Sequence, residues 1–450
     1  MSTNRSRARA ALLLVIVACA WVLFAHGAAR AQARGPIYSV DVSGTITAPT
    51  VEFLNRALQL AESSNATVLI LNVSSRGGVL RDIRLFAAAI TESQVPVVVY
   101  ITPAGTQAGP SGTILLSAAH LSALAPGTSF GSAYPLAQVD AALSQQSRDM
   151  VLDSLTSQLR DWNAAHGRNV DWLDRAVRDG AILTNEQAIA LNPPAVDLVA
   201  ADEVQLLQLL EGRSVRLATG TNVTLATLGR TPTAITPTIW EGSKQLLAEP
   251  TVAFALLILG ALALYLEFAA PGTSIFAGVG ILLMLAALIG LFALPVQGWA
   301  MMLLLFALVL LGAEFFVPVH GALATIGLVL MIVSGLNLID PAQAPDTEVA
   351  LWVILGIALA LAVVIALGVL LAVRVRSRPV TTGQEALIGK LAEVRRPLEP
   401  EGMVYVDGAL WNAISEDGDA PVGERVRVVG MHNLQLIVRR IDEPNAAHSA

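Results

Sequence analysis

Hydrophobic positions along the chain follow three different patterns. In the first, short β-rich runs alternate with stretches of helical spacing. Ile37 to Val42 and Thr67 to Val73 read as strands, and Val51 to Ser63 reads as a helix with apolar Val51, Leu54, Leu58 and Leu60. Leu80 to Glu92 is a second helix and Pro96 to Ile101 a further strand. A third helix starts near Ser111, and Leu121 to Leu124 is a short strand. Strands alternating with helices predict a parallel sheet with crossover helices, the α/β class. Ligands of such sheets sit beyond the carboxyl ends of the strands. Two glycine-rich turns fall there: Ser74-Ser75-Arg76-Gly77-Gly78, and the stretch from Ala104 to Thr113.

The second pattern is apolar throughout. Thr251 to Leu266, Phe268 to Ala313, Phe315 to Ile339 and Val349 to Val373 carry no Asp, Glu, Lys or Arg. Crossing the hydrocarbon takes about 20 apolar residues in a helix. Five spans are predicted, near 251–269, 274–294, 298–316, 322–338 and 350–373. They contain a repeat. Glu267-Phe268-Ala269-Ala270-Pro271 returns as Glu314-Phe315-Phe316-Val317-Pro318, and Ala277, Gly280, Leu283 and Met284 return as Ala324, Gly327, Leu330 and Met331. Each copy reads as a helix, a tight Pro/Gly turn and a returning helix whose small residues allow close approach. Glu267 and Glu314 have two readings. They form an ion or proton path, or they are boundary carboxylates that accept hydrogen bonds from turn amides.

Orientation follows from charge. Arg374, Arg376 and Arg378 after the last span place that end in the cytoplasm, and the acidic loop Asp340 to Glu348 outside. Arg5, Arg7 and Arg9 before the uncharged run Ala10 to Ala25, then Ala31-Gln32-Ala33, make a signal-peptide pattern with cleavage after Ala33. An uncleaved anchor is the other reading, and a lipoprotein box at Ile16 to Cys19 a third. Either an export signal or the arginine count puts residues 34–250 outside.

The third pattern covers residues 386–440. Short runs at Leu387–Val394, Met403–Val406, Ala409–Ile414, Glu424–Val429 and Leu434–Arg440 are separated by Gly408, Gly418 and Gly430. Five such strands predict a small barrel of the OB type. Trp411 is either a binding-face aromatic or a core or rim residue. The organisation is then a leader (1–33), an α/β domain (34–225), a linker (226–250), the membrane region (251–373) and the barrel (379–442).

Composition sharpens this. Of 450 residues 54% are hydrophobic and 14% charged, against about 25% charged in soluble proteins. A net charge of −7 excludes a general nucleic-acid binder. The one cysteine, Cys19, lies in the leader, so the mature chain has no disulfide. Nothing calls for a metal or cofactor. Among 28 basic residues only Lys244 and Lys390 are lysines.

The outer segment resembles the ClpP/SppA-type serine protease domain of long NfeD-family membrane proteins. The matching stretches are Leu71 to Gly78, Val95 to Tyr100, Ser111-Gly112-Thr113, His120-Leu121, Ala125 to Ser129 and Leu183 to Ala188. The paired Glu/Pro/Gly turns resemble the same family, as do Pro400 to Val404, Gly408 to Trp411 and Gly423 to Gly430. The resemblance implies a ClpP/crotonase-like α/β outer domain, a polytopic helical membrane region and an OB-fold barrel. It also implies a stomatin-, prohibitin- or flotillin-type membrane protein as partner.

Active relatives use a serine nucleophile in a small-residue turn and a lysine general base on a later helix. Amides after a Gly-Gly pair help bind the oxyanion. Gly77 and Gly78, with Gly112, match the oxyanion and peptide-binding elements. The nucleophile position reads Pro110, and proline has no hydroxyl. Ser111, one residue late, is read as a helix N-cap or as the nucleophile of a rebuilt turn. The lysine position reads Met150, and no lysine precedes Lys244. Arg148 and Arg160 stay protonated and cannot serve as bases. His120 is read as packed rather than catalytic. ClpP's histidine falls between Phe130 and Pro135, where this chain has none.

Three functions fit. The first is a membrane scaffold or adaptor with a degenerate protease domain, homo-oligomeric and able to hold apolar peptides. The second is an active membrane-bound serine endopeptidase rebuilt around Ser111. The third is a transporter using Glu267 and Glu314.

Overall fold

A computed structural model describes residues 35–132, 145–269, 272, 274–314, 316–317, 321–376 and 387–441. The leader pattern, residues 377–386 and part of each Pro/Gly turn lie outside the described residues.

The outer domain is built on strands β1 (Ile37–Val42), β2 (Val68–Val73), β3 (Val97–Ile101), β4 (Gln107–Ala108), β5 (Leu121–Leu124), β6 (Ser129–Gly131), β7 (Ile182–Thr184), β8 (Leu198–Val199), β9 (Ser214–Arg216), β10 (Asn222–Thr224) and β11 (Thr233–Ala234). Six of them form one sheet in the order β11-β1-β2-β3-β5-β8, parallel throughout. Alternation decides which face each side chain joins. Leu69, Leu71, Val73, Val97, Val99 and Ile101 enter one core, under the helices Ala48–Ser63, Leu80–Thr91 and Pro110–Ala118. Val68, Ile70, Val98 and Tyr100 enter the other, under Glu203–Leu210. Burial on both faces explains why β2 and β3 read as continuous apolar runs.

Arg168 fastens the back of this domain. Its guanidinium is 4% exposed and donates to the Leu116 and Ala119 carbonyls at 2.7 Å each, closing the C-terminus of the 110–118 helix. Nε and Nη2 bind Asp197 Oδ2 at 3.0 and 2.7 Å. Asp197 also accepts the Ser122 amide and hydroxyl at 2.7 and 2.8 Å. A buried ion pair so fully hydrogen-bonded fixes geometry, and loss of one partner strands a charge.

Five apolar helices follow: Pro250–Ala269, Ile275–Phe292, Gly298–Ala313, Ala322–Leu336 and Leu351–Arg376. They coincide with the five apolar segments. Those starting at 250 and 275 have 20 and 18 residues, and those starting at 298 and 322 have 16 and 15. The repeat is structural. The first two helices cross so closely that a Cβ on Gly280 would lie 2.9 Å from the Gly260 carbonyl oxygen. In the second hairpin a Cβ on Gly327 would lie 3.0 Å from the Ala307 carbonyl oxygen.

The carboxylates behave alike in the two copies. Glu267 Oε1 accepts the amide of Ser274 at 3.1 Å. Glu314 accepts the Gly321 amide at 2.5 Å and the Ala324 amide at 3.0 Å. Ser274 and Gly321, both in the left-handed region, precede the returning helices. Each carboxylate thus sits on the positive end of the next helix, Glu314 taking two of its amides through both oxygens and Glu267 one through Oε1. These bonds favour the turn-amide reading at both sites.

The C-terminal unit is a closed five-stranded barrel of β12 (Leu391–Arg396), β13 (Glu401–Val406), β14 (Ala409–Ser415), β15 (Arg425–His432) and β16 (Gln435–Arg440), in the order β12-β13-β14-β16-β15. The β14–β16 pair is parallel and the other pairs antiparallel. This is the OB-type arrangement. β12 starts at Leu391 rather than Leu387, because Gly389 turns left-handed (φ 87°) and Lys390 N bonds back to Leu387 O. Trp411 packs against the barrel core.

Glu314→Ala should destabilise the detergent-solubilised protein by about 1.5–3 kcal/mol, the usual contribution of hydrogen bonds to a charged group, and Glu314→Gln by less. Thermal unfolding measures this. Unchanged stability together with altered proton flux in proteoliposomes would bring back the ion path.

Candidate functional site

The cleft lies where β2 and β3 end. β2 runs into Ser74–Gly78, β3 leads to β4, and the 110–118 helix starts beside both. Gly109 is the helix N-cap residue and Pro110 is N1, a position where the missing N–H costs nothing. Ser111 is therefore inside the first turn and is not the N-cap. It is fully buried. Its hydroxyl donates towards Ser75, 3.2 Å from the carbonyl and 3.3 Å from Oγ, and Ser75 Oγ donates to Gly77 O at 2.9 Å. The hydroxyl braces the glycine turn from beneath.

Gly112 also faces inward. A Cβ there would meet the Ala108 methyl at 2.4 Å, so its bareness serves packing of the helix on β4 rather than the cleft. Thr113 Oγ1 accepts the Gly131 amide at 2.9 Å and lies 3.0 Å from the Gly131 carbonyl oxygen, tying β6 to the helix. Met150 sits on the 145–165 helix with 66% of its surface exposed. Met150 lies in the open rather than in a desolvating pocket.

Gly77 and Gly78 lie in the turn after β2, next to Arg76, which lines the cleft. Gly78 passes against Ile46, whose carbonyl oxygen a Cβ would approach to 2.3 Å. The Val79 amide donates to Ile46 O at 2.8 Å, and the Leu80 amide donates to Gln343 O at 2.8 Å. The partner of Leu80 belongs to the loop between the last two apolar helices, an occupant that the sequence reading did not foresee. A Cβ on Gly77 would lie 2.2 Å from Pro345 O, and one on Gly109 would lie 2.9 Å from Asp346 Oδ2. Burial raises the Asp346 pKa, the Glu348 charge adds to the rise, and Arg76 opposes it.

His120 is packed, as read. Its Nδ1 accepts the Val97 amide at 3.3 Å, and its ring meets His166 edge-on at 5.8 Å. Burial, then the neighbouring His166 and Arg168 charges, hold the His120 pKa at about 4. Burial, then Arg168, do the same for His166, with Asp197 opposing. Both rings stay neutral near pH 7 and lie on the Arg168 side of the domain.

An α/β domain of the ClpP type, apolar helical hairpins and a small barrel define a membrane protein with a protease-like N-terminal domain. Residues 251–371 match the NfeD integral membrane domain, and residues 384–440 the NfeD-like C-terminal, partner-binding domain. The chain thus carries both NfeD family-model domains, in this order. It is 28% identical over 416 residues to the membrane-bound protease PH1510 of Pyrococcus horikoshii, covering 91% of this chain and 94% of that protein. It is 25% identical over 435 residues to membrane protein NfeD1b of Bacillus subtilis, covering 90% and 93%. Among solved structures it is similar to a mutant of the 1510-N membrane-bound stomatin-specific protease in complex with a substrate peptide, at 25% identity and a TM-score of 0.42, covering 47% of this chain and 96% of that one.

Two outcomes follow from this geometry. Ser111→Ala removes one buried hydrogen bond and should cost about 0.5–1.5 kcal/mol, read as a lower denaturant midpoint of the full-length protein. The histidine pair has folded pKa values of about 4, below the ordinary 6.5. The unfolded chain binds more protons between these values, so the stability is complete above about 6.5 and is lost as pH falls towards 4. Denaturant midpoints should be lower at pH 5 than at pH 7. Replacing His120 and His166 by Gln should shrink the difference, and an unchanged difference would exclude the pair as its cause.

Proposed function

We propose that this chain is a membrane-anchored scaffold or adaptor for a stomatin- or flotillin-type membrane protein, with an outer domain that binds peptides without cutting them. One observation carries the reading: Ser111, the hydroxyl nearest the family's nucleophile position, is buried in a structural hydrogen bond, beside Pro110. Met150 in place of the lysine agrees with it. Among the described residues of this domain there is no lysine to activate a serine, and a general base typically contributes 10²–10⁴-fold. The C-terminal barrel is the surface for the partner, in line with the family model's partner-binding description. Its mixed charges favour protein over nucleic acid. We take the domains as 34–225, 251–373 and 379–442, after a signal peptide of residues 1–33, in a homo-oligomer.

The membrane region is read as five spans, with residues 34–250 outside and 379–450 in the cytoplasm. Three exposed tryptophans support this: Trp240 just before the first apolar helix, Trp299 at the start of the third and Trp352 at the start of the fifth. Such rings settle at the headgroup level, here on the side of the outer domain. The Leu80–Gln343 bond supports it too, since it requires the 340–348 loop on the same side, hence an even number of crossings between.

A fluorophosphonate probe on the full-length protein tests the reading. No labelling and no turnover of apolar peptides are expected, for wild type and Ser111→Ala alike. Labelling that disappears in Ser111→Ala would establish a rebuilt endopeptidase instead. Reporter fusions at positions 220 and 440 should report opposite sides of the membrane, and a common side would exclude five spans.

A further inference from the structure

The loop joining the last two apolar helices enters the cleft of the outer domain. We propose that Gln343 to Asp346 is a resident ligand of that cleft, an intramolecular strap that an incoming peptide must displace. The inference deepens the peptide-binding reading and rests on it.

Backbone chemistry is the first support. Beyond the Gly77-Gly78 turn, the Val79 amide is satisfied within the domain by Ile46 O, while the Leu80 amide is satisfied by Gln343 O at 2.8 Å. An extended peptide lying along the turn would take that second donor, as an added strand does at a sheet edge. The chain's own carbonyl already holds it.

Shape is the second. Pro345 O occupies the space of the missing Gly77 side chain, and Asp346 Oδ2 approaches the space of the Gly109 side chain. The turn is bare where the loop touches it. Ala344 is fully buried and Pro345 is buried too, so the small residues insert rather than drape over the surface.

The strap is also prepared for its seat. Asp340 accepts the Ala342 amide at 3.0 Å, the Gln343 side chain at 2.7 Å and, through its carbonyl, the Ala344 amide at 2.9 Å. Thr347 Oγ1 donates to Pro345 O at 3.2 Å, and Asp346 is held left-handed at φ 52°. Beside it a cavity of about 610 Å³ remains, lined among others by Arg76, Gln107, Ser129, Ser132, Asn337 and Glu348. The site as filled takes a turn of small residues and proline with a carboxylate towards Arg76. It opens on the ends of the membrane helices, so an external ligand of this class would be the stretch of a membrane protein just outside the bilayer.

The experiment uses full-length protein in nanodiscs. One variant replaces residues 343–347 by a glycine-serine segment of equal length, and a second carries Gly77→Val. Hydrogen exchange over residues 77–80 should be slow in wild type and at least tenfold faster in both variants, while β2 and β3 stay protected as the control for folding. A fluorescent peptide with the sequence of residues 340–348 should bind the loop-replaced protein at least tenfold more tightly than wild type, and Gly77→Val in that background should abolish binding. Equal exchange in wild type and the loop-replaced protein would overturn the strap. Equal peptide binding, or none to either protein, would overturn the cleft as its seat. The exchange readout is independent of chemistry: fluorophosphonate labelling with wild-type protection intact would reject the non-cutting function and leave the strap standing.

Discussion

Close backbone approach at the cleft is the constraint on which the arrangement of outer domain and membrane helices depends. Gly77 and Gly109 admit Pro345 and Asp346 at distances that a single methyl group would forbid. The Leu80–Gln343 bond then joins two segments far apart in sequence, one from the α/β domain and one from between apolar helices. At the other entry to the membrane region, the 239–247 helix ends against Gly290, where a Cβ would meet Leu247 O at 1.8 Å. Bare glycines thus serve the outer domain at two separate contacts with the membrane region. Each is a place where packing density leaves no slack.

The residues around the start of the 110–118 helix each meet a requirement of folding. Pro110 suits the first turn of its helix, Gly112 lets the helix lie on Ala108, and Ser111 supports the turn that carries Gly77. Every one of these residues has a structural task that its chemistry performs well. A nucleophile needs a hydroxyl that reaches the substrate and a base that reaches the hydroxyl. Here the Ser111 hydroxyl points into the protein, and on the proposed reading the base position is the exposed Met150. Peptide binding needs only the turn, its amides and the space above them.

The membrane region solves a different problem with the same economy of residue types. A carboxylate near hydrocarbon is costly unless its oxygens are engaged. Both oxygens of Glu314 and one of Glu267 are engaged by amides at a helix start, so two costs offset each other. The repeat of Glu, turn and small residues is the written form of that solution, which is why the hairpins could be read directly.

Local signals carried much of this protein in its sequence. The apolar runs set the helices of the membrane region, period-two alternation and glycine breaks set the strands, and the missing lysine needed no structure to be seen. Such properties depend on nearest neighbours and on composition. Contacts between distant segments decided the rest. Ser111 could be taken for an N-cap because a serine before an apolar run has that local signature. Gly109 as the actual cap, and Ser75 as the actual hydrogen-bond partner, emerge only when β2 and the helix meet. Gly112 looked like part of the cleft because glycine is equally bare whether it faces a ligand or a neighbouring methyl. Arg168 showed no sign of its role, since the carbonyls and carboxylate it binds come from three separate elements. The occupant of the cleft was hidden most completely, because Ala342 to Thr347 reads as an ordinary polar loop. Its seat exists only where the folded outer domain and the ends of the membrane helices come together.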